Sequence, residues 1–186
     1  MISNRFFDEV VIQEIYKPVR KLGSLGTVID LGACTGEFSL WVYNQAVKVY
    51  AIEADIEAFN HLKENVRDFL RIFPVNIGIA GENGKRGLSG GTIGAKSISN
   101  LGGDTVEIVA KTLASFMAEE KIDKVDCLKI DVESAEKEIF EAKDFPEVAD
   151  KIRYIIGEHL EPSKLVLETH GFKFEVYEHG QIFKRI

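Results

Sequence analysis

The chain has 186 residues, enough for one domain with a full core, and its 45% hydrophobic and 28% charged residues are ordinary for a globular protein. Thirty acids against 23 bases give a net charge of −7, which argues against broad contact with a nucleic acid backbone, since that needs a basic face. No apolar run approaches the length of a membrane span, the first residues lack a signal-peptide pattern, and Cys34 and Cys127 lack metal-ligand spacing, so a cytoplasmic protein with reduced thiols is expected.

Along the chain, Phe6, Phe7, Val10, Val11, Ile15 and Val19 recur at near-helical spacing, so an amphipathic helix is expected over residues 1–22, ended by Gly23 and Gly26. Strand one is expected at 27–32 and helix A from Gly36, with Phe38, Trp41 and Val42 turned inward. Strand two covers 47–53. Asp55 then reads as the N-cap of helix B, whose Ile56, Phe59, Leu62, Val66 and Phe69 share one face. Strand three is placed at 72–79. Nine of the 16 glycines fall in 78–103, which excludes one continuous helix or strand there; Asn83-Gly84 reads as a tight turn. A short strand at 105–110 and a helix at 112–120 follow. Strand four is 126–132, a helix starts near 135, and strand five is 153–159. Pro162 opens the last helix and Gly171 closes it. Strands at 172–178 and 181–186, joined at Gly180, form an antiparallel hairpin. Strands alternating with helices up to that hairpin predict a doubly wound, mostly parallel α/β sheet in a single domain, with 23–186 as its core.

The run Val28-Ile-Asp-Leu-Gly-Ala-Cys-Thr-Gly-Glu-Phe38 is a buried strand, a glycine turn and a helix start. Seventeen residues after Gly36, Glu53 ends the next strand, followed by Ala54. This order makes a nucleoside-cofactor pocket. A dinucleotide site favours three glycines, whereas here Cys34 stands at the middle position and none follows three residues after Gly36. No Gly-Lys-Ser/Thr follows either, so a phosphate loop does not fit. S-Adenosylmethionine, which carries no phosphate, remains. Asp30 would hold its ammonium directly or through water, backbone groups of Gly32, Ala33, Cys34 and Gly36 would face the methionine end, and Glu53 would take the ribose hydroxyls. Asn76 and Ile77 lie where adenine is expected, after strand three.

Asp131 and Glu133, two apart at the end of strand four, share a face if the strand persists. Ligands of doubly wound sheets bind beyond the carboxyl ends, where strand order reverses; strands one and four are expected to meet there, with Asp131 beside the glycine turn. Acids gathered at that edge repel unless a cation sits among them. The sulfonium, the cofactor ammonium, Lys129 or a metal would serve. Glu136 fits better as a structural acid at the next helix start.

Val28-Ile-Asp-Leu-Gly-Ala33, Glu53-Ala54, Thr112-Leu113 and Lys129-Ile-Asp-Val-Glu-Ser-Ala-Glu136 together resemble the FkbM family of class I S-adenosylmethionine-dependent methyltransferases, over about residues 26–160. The resemblance implies a Rossmann-like methyltransferase fold and methyl transfer, usually to an oxygen, with hydroxyls of sugars and secondary metabolites as acceptors. Two positions depart from the family pattern: Ser134 stands where glycine is common, and Ala114-Ser115 where acids are common. Little sequence remains for a separate substrate cap. His159, at the end of strand five, also resembles a family position and is the candidate general base, with a hydrogen-bonded structural histidine as the competing reading. His61, His170 and His179 carry no assigned role.

The expected chemistry is O-methyl transfer to a small molecule or sugar by in-line displacement, with Asp131, Glu133 or His159 orienting or deprotonating the hydroxyl. No metal ligands and no nucleic-acid partner are assigned, and the oligomeric state is left open. The alternatives are metal-assisted transfer through Asp131, Glu133 and His159, a cofactor-binding module without catalysis, and, more weakly, a dinucleotide enzyme. Segment 78–103 is either a lid over the cofactor or a disordered insert.

Overall fold

The computed structural model describes residues 16–90, 92, 96–132, 135–157, 160–177 and 180–186. Most of the expected N-terminal helix lies outside these; its last turn is α1 (Lys17–Arg20), with Val19 fully buried.

Seven strands make the central sheet: β1 (Leu25–Leu31), β2 (Ala46–Ile52), β3 (Ile72–Val75), β8 (Val125–Ile130), β9 (Ile152–Gly157), β10 (Phe172–Tyr177) and β11 (Gly180–Arg185). Their order is β10-β11-β9-β8-β1-β2-β3. The first five pair in parallel, and the hairpin β10–β11 closes one edge with β11 antiparallel to β9. This is the expected doubly wound sheet. Its pleat sends alternate residues to opposite faces. Ile29 and Leu31 of β1 join Tyr50, Ile52, Leu128 and Ile130 in one core. That core packs on α4 (Leu113–Glu119), α5 (Glu136–Phe140) and α6 (Pro146–Ala149). Val28 joins Val49 and Ala51 in the other core, under α2 (Glu37–Val42) and α3 (Ile56–Val66). The last helix is α7 (Lys164–Thr169), preceded by a 3-10 turn at Glu161–Ser163.

Several boundaries differ from the sequence reading. The expected third strand breaks: β4 (Gly78–Ile79) leaves the central sheet and pairs with β7 (Val106–Lys111). With β5 (Gly84–Ser89) and β6 (Ser97–Ser99) these form a second, four-stranded sheet in the order β4-β7-β5-β6. The glycine-rich segment therefore contains regular structure, because its glycines serve close packing: a Cβ at Gly78 would sit 2.8 Å from Ile98, and one at Gly87 2.8 Å from the Asn100 carbonyl. Asn83 is not simply a turn residue, since its side chain accepts from the Thr112 N–H at 2.9 Å and donates to Ser115 Oγ at 2.8 Å. Helix B begins as expected, with Asp55 capping the Glu57 N–H at 3.2 Å, but Ile56 is exposed and Ala58, Leu62 and Val66 make its buried face. The strand before Asp131 stops at Ile130, and Val132 donates instead to Glu136 Oε1 at 3.2 Å. Asp131 therefore lies just beyond the strand expected to set it on one face with Glu133, and Glu133 lies outside the described residues. Gly180 is the first residue of β11, paired with Tyr177, rather than the turn itself.

Candidate cofactor site at the carboxyl ends of β1, β2 and β8

The turn after β1 is shaped by three residues with positive φ: Gly32 (+72°), Cys34 (+48°) and Gly36 (+100°). Gly32 has no room for a side chain, since a Cβ there would fall 1.8 Å from the Asp131 carbonyl oxygen. That contact brings the turn and the end of β8 together. The Ile52 carbonyl at the end of β2 accepts from the N–H groups of Gly32 and Ala33, at 3.0 and 2.9 Å. Gly36 N donates to the Ala33 carbonyl at 2.8 Å, and Asn65 Nδ2 to the Thr35 carbonyl at 2.8 Å. The N–H groups of Gly32, Ala33, Cys34 and Gly36 are thus engaged within the protein.

Glu53 is half-buried just past β2 and both its oxygens are fixed: Oε2 accepts from Cys34 N and Oε1 from Asp55 N, each at 2.8 Å. Burial pushes its carboxyl above the ordinary value, against the pull of those two N–H groups. Two fixed oxygens with lone pairs to spare form an oriented acceptor pair. Asn76, exposed, donates through Nδ2 to the carbonyls of Glu53 at 2.8 Å and Ala54 at 3.2 Å, which locks the loop beyond β2 onto the end of β3. Ile77 is half-buried beside it and packs on the core.

Asp30 is fully buried beneath the turn. It is paired in register with Lys129 of β8, whose ammonium lies 3.1 Å away, and accepts from Ser39 Oγ at 2.7 Å. Lys129 Nζ also donates to the carbonyls of Gly32 at 2.8 Å and Leu31 at 3.3 Å, and lies 3.9 Å from Asp131 Oδ2. Burial alone would pull the lysine down, but Asp30 first, then Tyr16 and Asp131, hold it above its ordinary value, so it stays charged. Of the four cations considered from sequence, Lys129 is the one that the chain itself supplies among the acids. Asp131, with its side chain 43% exposed, stands at the lip of the turn, its N–H donating to the Leu31 carbonyl at 3.1 Å. Burial, with Glu37 and Glu53 nearby, pushes the Cys34 thiol up to about 12, so it stays protonated.

Sequence reading passed over Thr35, Glu37 and Ser39. The last two fall one and three residues after Gly36, on the first turn of α2, and both are buried. Nor did it find the ties of the second sheet: Lys96 pairs with Asp55 at 2.8 Å and Arg86 with Glu138 at 3.2 Å. These fasten it to the segments that follow β2 and β8. Glu133, His159 and Ser134 lie outside the described residues, as does His179. His170 lies at the end of α7, its ring edge-on to Phe145 at 5.2 Å, away from the acids. Among the described residues no group of three potential metal ligands comes together, and no helix is long and apolar enough to cross a membrane.

A doubly wound sheet with a glycine turn after β1 and a fixed acid after β2 is the Rossmann-like methyltransferase fold, and solved structures of that class superpose on it. The methyltransferase FkbM from Methylobacillus flagellatus KT aligns with TM-score 0.61 at 14% identity, covering 87% of this chain and 43% of its own. TrmK of M. capricolum, in complex with S-adenosylhomocysteine, aligns at 0.55 with 15% identity, covering 91% and 66%. An rRNA methylase from Streptococcus thermophilus aligns at 0.56 with 10% identity over 100% and 99%. At such identities these likenesses speak for the fold alone, and this chain spans less than half the length of the M. flagellatus protein. No curated protein matches the sequence. The methyltransferase FkbM domain matches residues 30–186, and the chain belongs to that family. The dependence on S-adenosylmethionine expected from its motifs accords with that membership.

Proposed function

We propose that the protein transfers the methyl group of S-adenosylmethionine to a hydroxyl oxygen of a small molecule or sugar. The observation that carries the reading is the charge arrangement at the turn. Asp30, Glu37, Glu53 and Asp131 surround a single lysine, Lys129, which leaves an acid excess facing whatever binds there. A ligand with a sulfonium and an ammonium complements that excess, whereas a dinucleotide pyrophosphate would be repelled. The fixed Glu53 oxygens suit a ribose diol, and Gly32, Ala33, Cys34 and Gly36 shape the space beside it. Ala54, Asn76 and Ile77 border the adenine side.

The bound cofactor supplies an electrophilic methyl group on sulfur. The chain's own residues bind, orient and handle the proton. Asp131, half-exposed beside the turn, accepts a hydrogen bond from an incoming hydroxyl and holds its oxygen toward the methyl group. Glu133 and His159 follow the carboxyl ends of β8 and β9 in sequence, and one of them takes the hydroxyl proton as oxygen becomes a better nucleophile. The net charge of −7 supports a small acceptor over a nucleic acid backbone.

The test has two arms. Calorimetry should find S-adenosylhomocysteine binding and none for NAD. An acceptor screen with S-adenosylmethionine labelled in its methyl group should then place label on hydroxyl oxygen. Label on carbon or nitrogen would refute the O-methyl reading, label on RNA would refute the small acceptor, and binding of NAD instead would refute the cofactor.

A further inference from the structure

The four buried acids among the described residues are Asp30, Glu37, Asp55 and Asp126. Three of them are ion-paired: Asp30 with Lys129 at 3.1 Å, Asp55 with Lys96 at 2.8 Å, and Asp126 with Lys124 at 3.3 Å and Arg153 at 3.9 Å. Glu37 is the exception. Its side chain receives the Thr35 hydroxyl on Oε1, and no described cation forms an ion pair with it. A carboxylate in that state is costly unless a positive group arrives to share the site.

Glu37 opens α2 directly after the Gly36 turn, in the electrostatic neighbourhood of Asp30, Lys129 and Cys34. Asp30, to which the cofactor ammonium was assigned from sequence, is fully buried and already engaged by Lys129 and Ser39. If Glu53 takes the ribose, adenosine lies over the end of β2 and the amino-acid end of the ligand crosses the turn toward β8. That path passes the start of α2.

We propose that Glu37, and not Asp30, receives the α-ammonium of the cofactor's methionine end, with Thr35 holding the carboxylate in place. The proposal rests on the S-adenosylmethionine reading above. Burial, the largest influence on Glu37, pushes its carboxyl above the ordinary value, as expected of a site awaiting its counter-charge. Asp30 has a different part: with Lys129 it holds the turn together, and its charge is cancelled before ligand arrives.

The test compares two ligands by calorimetry on the full chain. S-Adenosylhomocysteine carries the amino-acid end; 5′-methylthioadenosine lacks it. Glu37→Gln should weaken S-adenosylhomocysteine binding by about tenfold or more, the loss of one charge-assisted bond, and leave 5′-methylthioadenosine within about twofold. Glu37→Asp, which keeps the charge but shortens the reach, should show the same selective loss and serves if the Gln variant does not fold. An S-adenosylhomocysteine analogue with hydroxyl in place of the amine should bind wild type and Glu37→Gln alike. Unchanged S-adenosylhomocysteine affinity in Glu37→Gln, or equal loss for both ligands, overturns the assignment while leaving the cofactor reading intact. Failure of wild type to bind either ligand overturns the cofactor reading, and this assignment with it.

Discussion

Replacing Lys129 with Met keeps the apolar stem and removes the ammonium that lies 3.1 Å from Asp30. At an effective dielectric of about 20, two unit charges at that separation attract by about 5 kcal/mol. Breaking a buried pair from one side costs about 3–5 kcal/mol, because the surviving charge stays in the interior without compensation. The Gly32 carbonyl also loses the lysine as donor, while the Leu31 carbonyl keeps the Asp131 N–H. For a chain of this size each kcal/mol lowers the midpoint by about 2–4 °C, so Lys129→Met should melt about 6–20 °C below wild type. Asp30→Asn should lower it comparably, since it leaves the ammonium unpaired. The double variant Asp30→Asn/Lys129→Met removes both charges and should recover a large part of the loss. Urea titrations of the four proteins form a double-mutant cycle, and the coupling should be about 2 kcal/mol or more. Additive losses, with the double variant as unstable as the sum of the singles, would refute the view that these residues act as one neutral unit beneath the turn.

Changing Glu53 to Ala removes both acceptors that fix the loop after β2, and calorimetry should show S-adenosylhomocysteine affinity falling by about tenfold or more; unchanged affinity would sink the ribose assignment. Changing Asp131 to Ala should cut methyl-transfer turnover while cofactor binding persists, and a fully active variant would remove Asp131 from the mechanism. The pH dependence of stability follows from the raised carboxyls of Glu37 and Glu53. A folded-state pKa above the unfolded value means the native state binds more protons, so their contribution is full below the ordinary value of 4.5 and is lost as pH rises through the folded value. Thermal midpoints of Glu37→Gln should therefore fall less than wild type as pH rises from 4.5 toward neutrality; parallel curves would contradict a buried, uncompensated Glu37.

The local elements of this chain are legible because each has a local cause. Alternating faces in β1 and β2, the Asp55 cap, and a glycine turn that needs positive φ are all consequences of residues near one another. The same holds for Glu53, marked by its place at a strand end. The break at Asn76 was not legible, because the partners its side chain takes there are carbonyls 22 and 23 residues away. The second sheet was hidden by its own glycines, which signal a loop in sequence but in space admit Ile98 and Ile108 against Gly78.

The sequence by itself determined the fold class, the family and three of the acids near the glycine turn, Asp30, Glu53 and Asp131, since these follow from periodicity, turn chemistry and a distinctive motif. Only the tertiary structure decided how charge is distributed among those acids. Lys129 lies 99 residues from Asp30, yet parallel pairing of β8 with β1 puts the two in register on one face. That pairing neutralises Asp30, whereas Glu37 is the buried acid that forms no ion pair among the described residues. Ion pairing depends on distances of a few ångström, and across β1 and β8 those distances are set by strand register rather than by separation along the chain.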